Sequence, residues 1–104
     1  MTMKMDKMLK QFQKMQAQMT QMQEELGSET VEASSGGGMV TVKANGHGDI
    51  VSISISKEVV DPGDVEMLED LLLSAVKESI RMSRELAERR MGSVTGGMNI
   101  PGLF

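Results

Sequence analysis

Val40-Thr41-Val42-Lys43-Ala44-Asn45-Gly46-His47-Gly48-Asp49-Ile50-Val51-Ser52-Ile53-Ser54-Ile55-Ser56 is the stretch whose pattern decides the fold. Val40, Val42 and Ala44 alternate with Thr41 and Lys43, and Val51, Ile53 and Ile55 alternate with Ser52, Ser54 and Ser56. Successive side chains of a strand point to opposite faces, so this period of two predicts two strands, each with one apolar and one polar face. Asn45-Gly46-His47-Gly48 between them is turn chemistry, because Asn and Gly tolerate the backbone angles a tight hairpin demands. Upstream, Val31 and Ala33 alternate with Thr30, Glu32 and Ser34, and Ser35-Gly36-Gly37-Gly38 supplies a second turn. Residues 29–56 therefore read as a three-stranded antiparallel sheet.

Outward from the sheet the period lengthens. Residues 2–26 contain neither Gly nor Pro and are mostly Met, Gln, Lys, Leu and Glu, all strong helix formers. Their apolar positions, Met5, Met8, Phe12, Met15, Met19, Met22 and Leu26, alternate spacings of three and four, which is a heptad seam. Gly27 is the expected C-terminal cap. On the far side of the sheet, Asp61-Pro62-Gly63-Asp64 opens a second helix over residues 62–91, with Asp61 as N-cap and Pro62 at the first helical position. Val65, Leu68, Leu72, Val76, Ile80 and Ala87 line one face, widened by Leu71, Ala75 and Leu86, and Gly92 is the expected stop. The Gly-rich tail 92–104, with Pro101, is expected to be mobile. With 104 residues there is room for a single α+β domain, long helices flanking a thin sheet.

The formal charge of −4 argues against a protein that simply coats DNA, but its distribution is uneven. Through residue 23, Lys4, Lys7, Lys10 and Lys14 face only Asp6, a net +3. Residues 24–70 carry eleven acids against Lys43 and Lys57, a net −9. From residue 71 onward, Lys77, Arg81, Arg84, Arg89 and Arg90 face Glu78, Glu85 and Glu88, a net +2. On a helical wheel the four N-terminal lysines share an arc of about 120°, together with Gln11, Gln18 and Gln21 and away from the seam. Lys77, Arg81 and Arg84 cluster within about 60° on the outer side of the second helix.

Catalytic chemistry has little to work with. Without cysteine there are no disulfides, thiolate metal sites or cysteine nucleophiles, which fits a reducing cytosol. The charged N-terminus reads as neither a signal peptide nor a membrane span, so the expected location is the cytoplasm, with no membrane partner. The lone His47 sits between glycines in a turn, whereas a general base needs an orienting partner and a pocket. Glu66, Glu69 and Asp70 offset the positive end of a helix dipole, and a metal site there would lack histidine ligands and an enclosing loop. Gly36-Gly37-Gly38 is not followed by Lys-Ser/Thr and a helix, as a phosphate-cradling loop requires. The sequence thus predicts no enzyme, metal, cofactor or small-molecule substrate.

Two Phe, no Trp or Tyr and twelve Met make a core that fills gaps well but specifies packing poorly. One apolar sheet face cannot cover two long helices, so a homodimer is expected. Its packing and dimer residues would come from Met8, Phe12, Met15, Met19, Met22, Val40, Val42, Val51, Ile53 and Ile55. Lys, Arg and Gln suit contact with the backbone of duplex DNA, while the absence of Tyr and Trp weighs against stacking on single strands. Composition leaves a second reading open, in which Met-lined helices grip another protein.

Three motifs add to this. Gly37-Gly38-Met39-Val40-Thr41-Val42-Lys43-Ala44-Asn45-Gly46 resembles the sheet segment of the YbaB/EbfC family of bacterial nucleoid-associated proteins. Asp61-Pro62-Gly63-Asp64-Val65-Glu66-Met67-Leu68-Glu69-Asp70-Leu71 resembles it as well, and Thr95-Gly96-Gly97-Met98-Asn99-Ile100-Pro101-Gly102-Leu103-Phe104 is similar to that family's ending. The Met/Gln/Lys-rich first helix is also typical of it. The resemblance implies an α-β-β-β-α monomer that dimerises into a tweezer-like assembly, binds double-stranded DNA and organises the chromosome or regulates genes in the nucleoid. It implies DNA contacts from basic helix positions, here Lys4, Lys7, Lys10, Lys14, Lys77, Arg81, Arg84, Arg89 and Arg90.

Overall fold

A computed structural model describes residues 2–95 of the chain. Helix α1 (Thr2–Ser28) leads into strands β1 (Thr30–Ser35), β2 (Val40–Asn45) and β3 (Ile50–Ile55), and helix α2 (Val65–Thr95) closes the order. Short 3-10 turns occupy Gly36–Gly38 and Lys57–Val59. The molecule is elongated, 76 × 25 × 16 Å.

The strands form one antiparallel sheet in the order β1-β2-β3. Val42 lies opposite Ala33 on one side and Ile53 on the other, and Val40 lies opposite Ser35 and Ile55. Directly opposed residues share a face, so the apolar face predicted from the alternation runs across all three strands. A register shift between Lys43 and Ala44 leaves both Ile50 and Val51 opposite Ala44, a bulge near the hairpin end of β3.

Helix α2 crosses β1 and β2 and barely touches β3. Val40, Val42, Ala44 and Ala75 are fully buried, and Met39, Leu68, Leu71, Leu72 and Val76 close the core around them. The closest part of α2 presents small residues, Ala75, Ser79 and Ser83, at spacings of four. Ser83 Oγ donates to the Asn45 carbonyl at 2.6 Å and Ser79 Oγ to the Val76 carbonyl at 2.8 Å, so neither buried hydroxyl is left unsatisfied. Sequence reading missed this pair. The four-residue row of small side chains was its available signal. At the other turn, Gly36 has φ +61°, and a Cβ there would lie 2.9 Å from Leu71 Cδ2.

Three local expectations change. The second helix begins at Val65 rather than Pro62. Asp61 closes a turn instead, its side chain accepting from Gly63 N at 2.9 Å and its carbonyl from Asp64 N at 2.9 Å. Asp64 is the cap, accepting from Met67 N at 3.2 Å. Gly92 does not stop the helix, which runs on to Thr95; one glycine costs about 1 kcal/mol and does not terminate a helix by itself. Gly27 lies within α1 and outside the left-handed region, so it is no αL cap. The expected tail is thus helical through Thr95, and residues 96–104 lie outside the described residues.

Candidate nucleic-acid interface

Helix α1 joins the body only through its last turns. Met22 and Leu26 are buried, Met15 and Met19 are half-buried, and Met8 and Phe12 are 67% and 63% exposed. Half of the predicted seam therefore packs on the protein itself and half does not. At the junction, Gly46 N donates to the Leu26 carbonyl at 2.8 Å, and Asn45 Nδ2 donates to the Gly27 carbonyl at 3.3 Å. His47 Nε2 donates to the Gln23 carbonyl at 2.6 Å; a carbonyl only accepts, so this ring nitrogen carries the proton. His47 is a turn residue that also pins α1, a role its sequence neighbours did not disclose.

Beyond the junction α1 projects with its side chains in solvent. Lys4, Lys7, Lys10 and Lys14 are all exposed, and no ion pair holds them among the described residues. Lys77, Arg84 and Arg89 on α2 are likewise exposed and unpaired among the described residues. The other two candidate cations are engaged. Arg81 donates from Nε to Glu78 Oε2 at 3.0 Å and forms ion pairs with both Glu78 and Glu85. The hydrogen bond from Arg81 holds the Glu78 carboxyl below its usual range, and Glu78 in turn pushes the guanidinium's own pKa up. With two carboxylates around it, Arg81 offers little net positive charge to a phosphate.

Arg90 turns inward. It forms an ion pair with Glu25 of α1, and its Nε lies 3.7 Å from Glu29 Oε2, just ahead of β1. Its position explains this: Arg90 is eighteen residues, or five full turns, past Leu72, and so falls on the core-facing side of α2. That phase was legible in the sequence. The partners, far away in the chain, were not.

Apolar side chains are also left in solvent. Val51, Ile53 and Ile55 of β3 are 51%, 50% and 38% exposed, because α2 does not reach over them. Among the described residues β3 is also an edge of the sheet, the kind of strand whose outer backbone groups can pair with another chain. Val65, placed on the packing face by its sequence spacing, is exposed too, since it precedes the part of α2 that covers the sheet.

The YbaB/EbfC DNA-binding family matches residues 1–98. The chain belongs to that family. Among its relatives is a "Nucleoid-associated protein" of Desulforamulus reducens, 58% identical over 96% of this chain and 95% of the relative. Another of the same name, from Alkaliphilus metalliredigens, is 55% identical over 96% of this chain and 88% of its own. The crystal structure of an uncharacterized protein, HP0035, from Helicobacter pylori superposes with a TM-score of 0.75 at 25% identity. It covers 86% of this chain and 94% of that one. For this YbaB/EbfC member the helix–sheet–helix architecture is thus shared with a solved structure. Among the described residues, no helix is long and apolar enough to cross a membrane.

Proposed function

We propose that this protein is a nucleoid-associated, non-enzymatic protein of the bacterial cytoplasm that binds double-stranded DNA as a homodimer. Contacts run mainly to phosphates and come from Lys4, Lys7, Lys10 and Lys14 of α1 and Lys77, Arg84 and Arg89 of α2. The observation that carries this reading is the row of lysines, without an ion pair among the described residues, on a projecting helix of an otherwise acidic member of a DNA-binding family. Phosphate binding releases condensed counterions, so free lysines contribute more than cations already paired with carboxylates. The dimer reading is supported by exposed Val51, Ile53 and Ile55 on an edge strand. Burying such side chains fully contributes about 1.5–3 kcal/mol each. Reversing Lys7, Lys10 and Lys14 to Glu tests the assignment. Gel-shift binding of duplex DNA is lost while the solution mass is unchanged; unaltered binding would remove α1 from the mechanism.

Exposed Met5, Met8, Leu9 and Phe12 favour a second reading, a scaffold whose Met-lined helix grips another protein. A protein complex that survives nuclease treatment supports it; loss of every co-purifying partner on nuclease treatment counts against it.

A further inference from the structure

Helix α1 is a lever with its fulcrum at one end. From Lys4 to Glu25 it extends roughly 32 Å, so a tilt of about 10° at the root displaces the lysine end by roughly 5 Å. Within α1, the hydrogen bonds from Asn45, Gly46 and His47 go to Gln23, Leu26 and Gly27, and Gly46 N also reaches the Glu29 carbonyl just beyond the helix. They fasten the last turns of α1 to the hairpin. Among the described residues, the ion pair tying α1 to α2 is that of Arg90 with Glu25; the Arg90 side chain, 34% exposed, stands between Glu25 of α1 and Glu29 just beyond its end. Arg90 Nε and Glu29 Oε2 are buried and form no hydrogen bond, so charge holds them together at 3.7 Å.

We infer that Arg90 is a positioning residue for DNA binding: its pairing with Glu25 and Glu29 sets the angle at which α1 leaves the body, and so where the four lysines meet the duplex. The inference rests on the DNA reading above, but assigns Arg90 a different task from the phosphate contact its charge suggested. The test combines duplex DNA affinity with a spin-label distance between Cys substitutions at Gln13 and Glu69. The chain has no native cysteine to interfere. Labelled protein is diluted with unlabelled protein so that only distances within one chain are read.

Arg90→Glu is expected to weaken affinity roughly fivefold or more and to broaden the distance distribution, since a displaced α1 loses phosphate contacts. Adding Glu25→Arg to Arg90→Glu rebuilds the pair with reversed charges and restores both readouts. Should Arg90→Glu fail to fold, as judged by its melting curve, Arg90→Gln takes its place, with a smaller loss and the same broadening. Weaker binding with unchanged distances and no rescue would make Arg90 a direct phosphate contact and overturn the inference. Unchanged affinity and distances would overturn it too. If the wild-type protein binds no duplex, the DNA reading falls and the positioning role with it, whatever the distances show.

Discussion

Gly46 shows how closely the hairpin and α1 approach. A Cβ built there would lie 2.6 Å from Leu26 Cδ2 and 2.7 Å from the Leu26 carbonyl oxygen, and the carbonyl cannot move without shifting the helix. Overpacking of this kind costs about 1–3 kcal/mol, so Gly46→Ala is expected to lower the melting temperature by roughly 5 °C or more. An unchanged melting curve would show that α1 is not clamped here. Glu78 tests the electrostatics at the same scale. Its carboxyl is held below the usual range mainly by the hydrogen bond from Arg81, so the pair persists at neutral pH and is lost as pH falls through that lowered value. Glu78→Gln removes one carboxylate from around Arg81, and duplex affinity at low salt is expected to rise by about twofold to fivefold. No change on anisotropy titration would mean that this face of α2 stays away from DNA. The Gly46 contact was not visible in the sequence, where Gly46 read as turn chemistry; Arg81 read as one of three outward cations, although its spacing of three from Glu78 and four from Glu85 was the available signal for its pairs.

At the scale of elements, the strands were the most legible, because Val40, Val42, Ile53 and Ile55 repeat with a period of two that no helix can satisfy. The start of α2 was less so. Asp61 and Asp64 both satisfy the preference for a cap, and only the turn closed between them decides that Asp64 takes the role. The heptad seam of α1 marked a packing face, but its spacing could not say that cover would end near Met15. That limit depends on where the hairpin sits, a contact distant in the chain. On β3 the same alternation that predicted the strand now marks an unfinished surface. Replacing Ile53 with Asp would place a charge in the middle of it, at a cost of several kcal/mol if the surface is buried between two copies. The expected result is a monomer by light scattering with its fold retained; a dimer of unchanged stability would move the interface elsewhere.

For the whole molecule, an acidic total conceals a division of labour. The stretch from Glu29 to Asp70, the sheet through the start of α2, carries nine of the fifteen carboxylates, while the lysines without an ion pair among the described residues ride on a helix that reaches away from it. The separation keeps the acidic body from screening the cations, since charges more than about 8 Å apart are largely uncoupled at physiological salt. It also makes an electrostatic mechanism measurable in solution. The most direct measurement is the affinity of the purified protein for duplex DNA across a salt series, with its mass determined in the same buffers. The logarithm of affinity is expected to fall linearly with the logarithm of salt, with a slope of about −4 or steeper. The mass is expected to be twice the 11.3 kDa of one chain. A flat salt response, no binding, or the mass of a single chain would contradict a dimer that holds DNA by its phosphates.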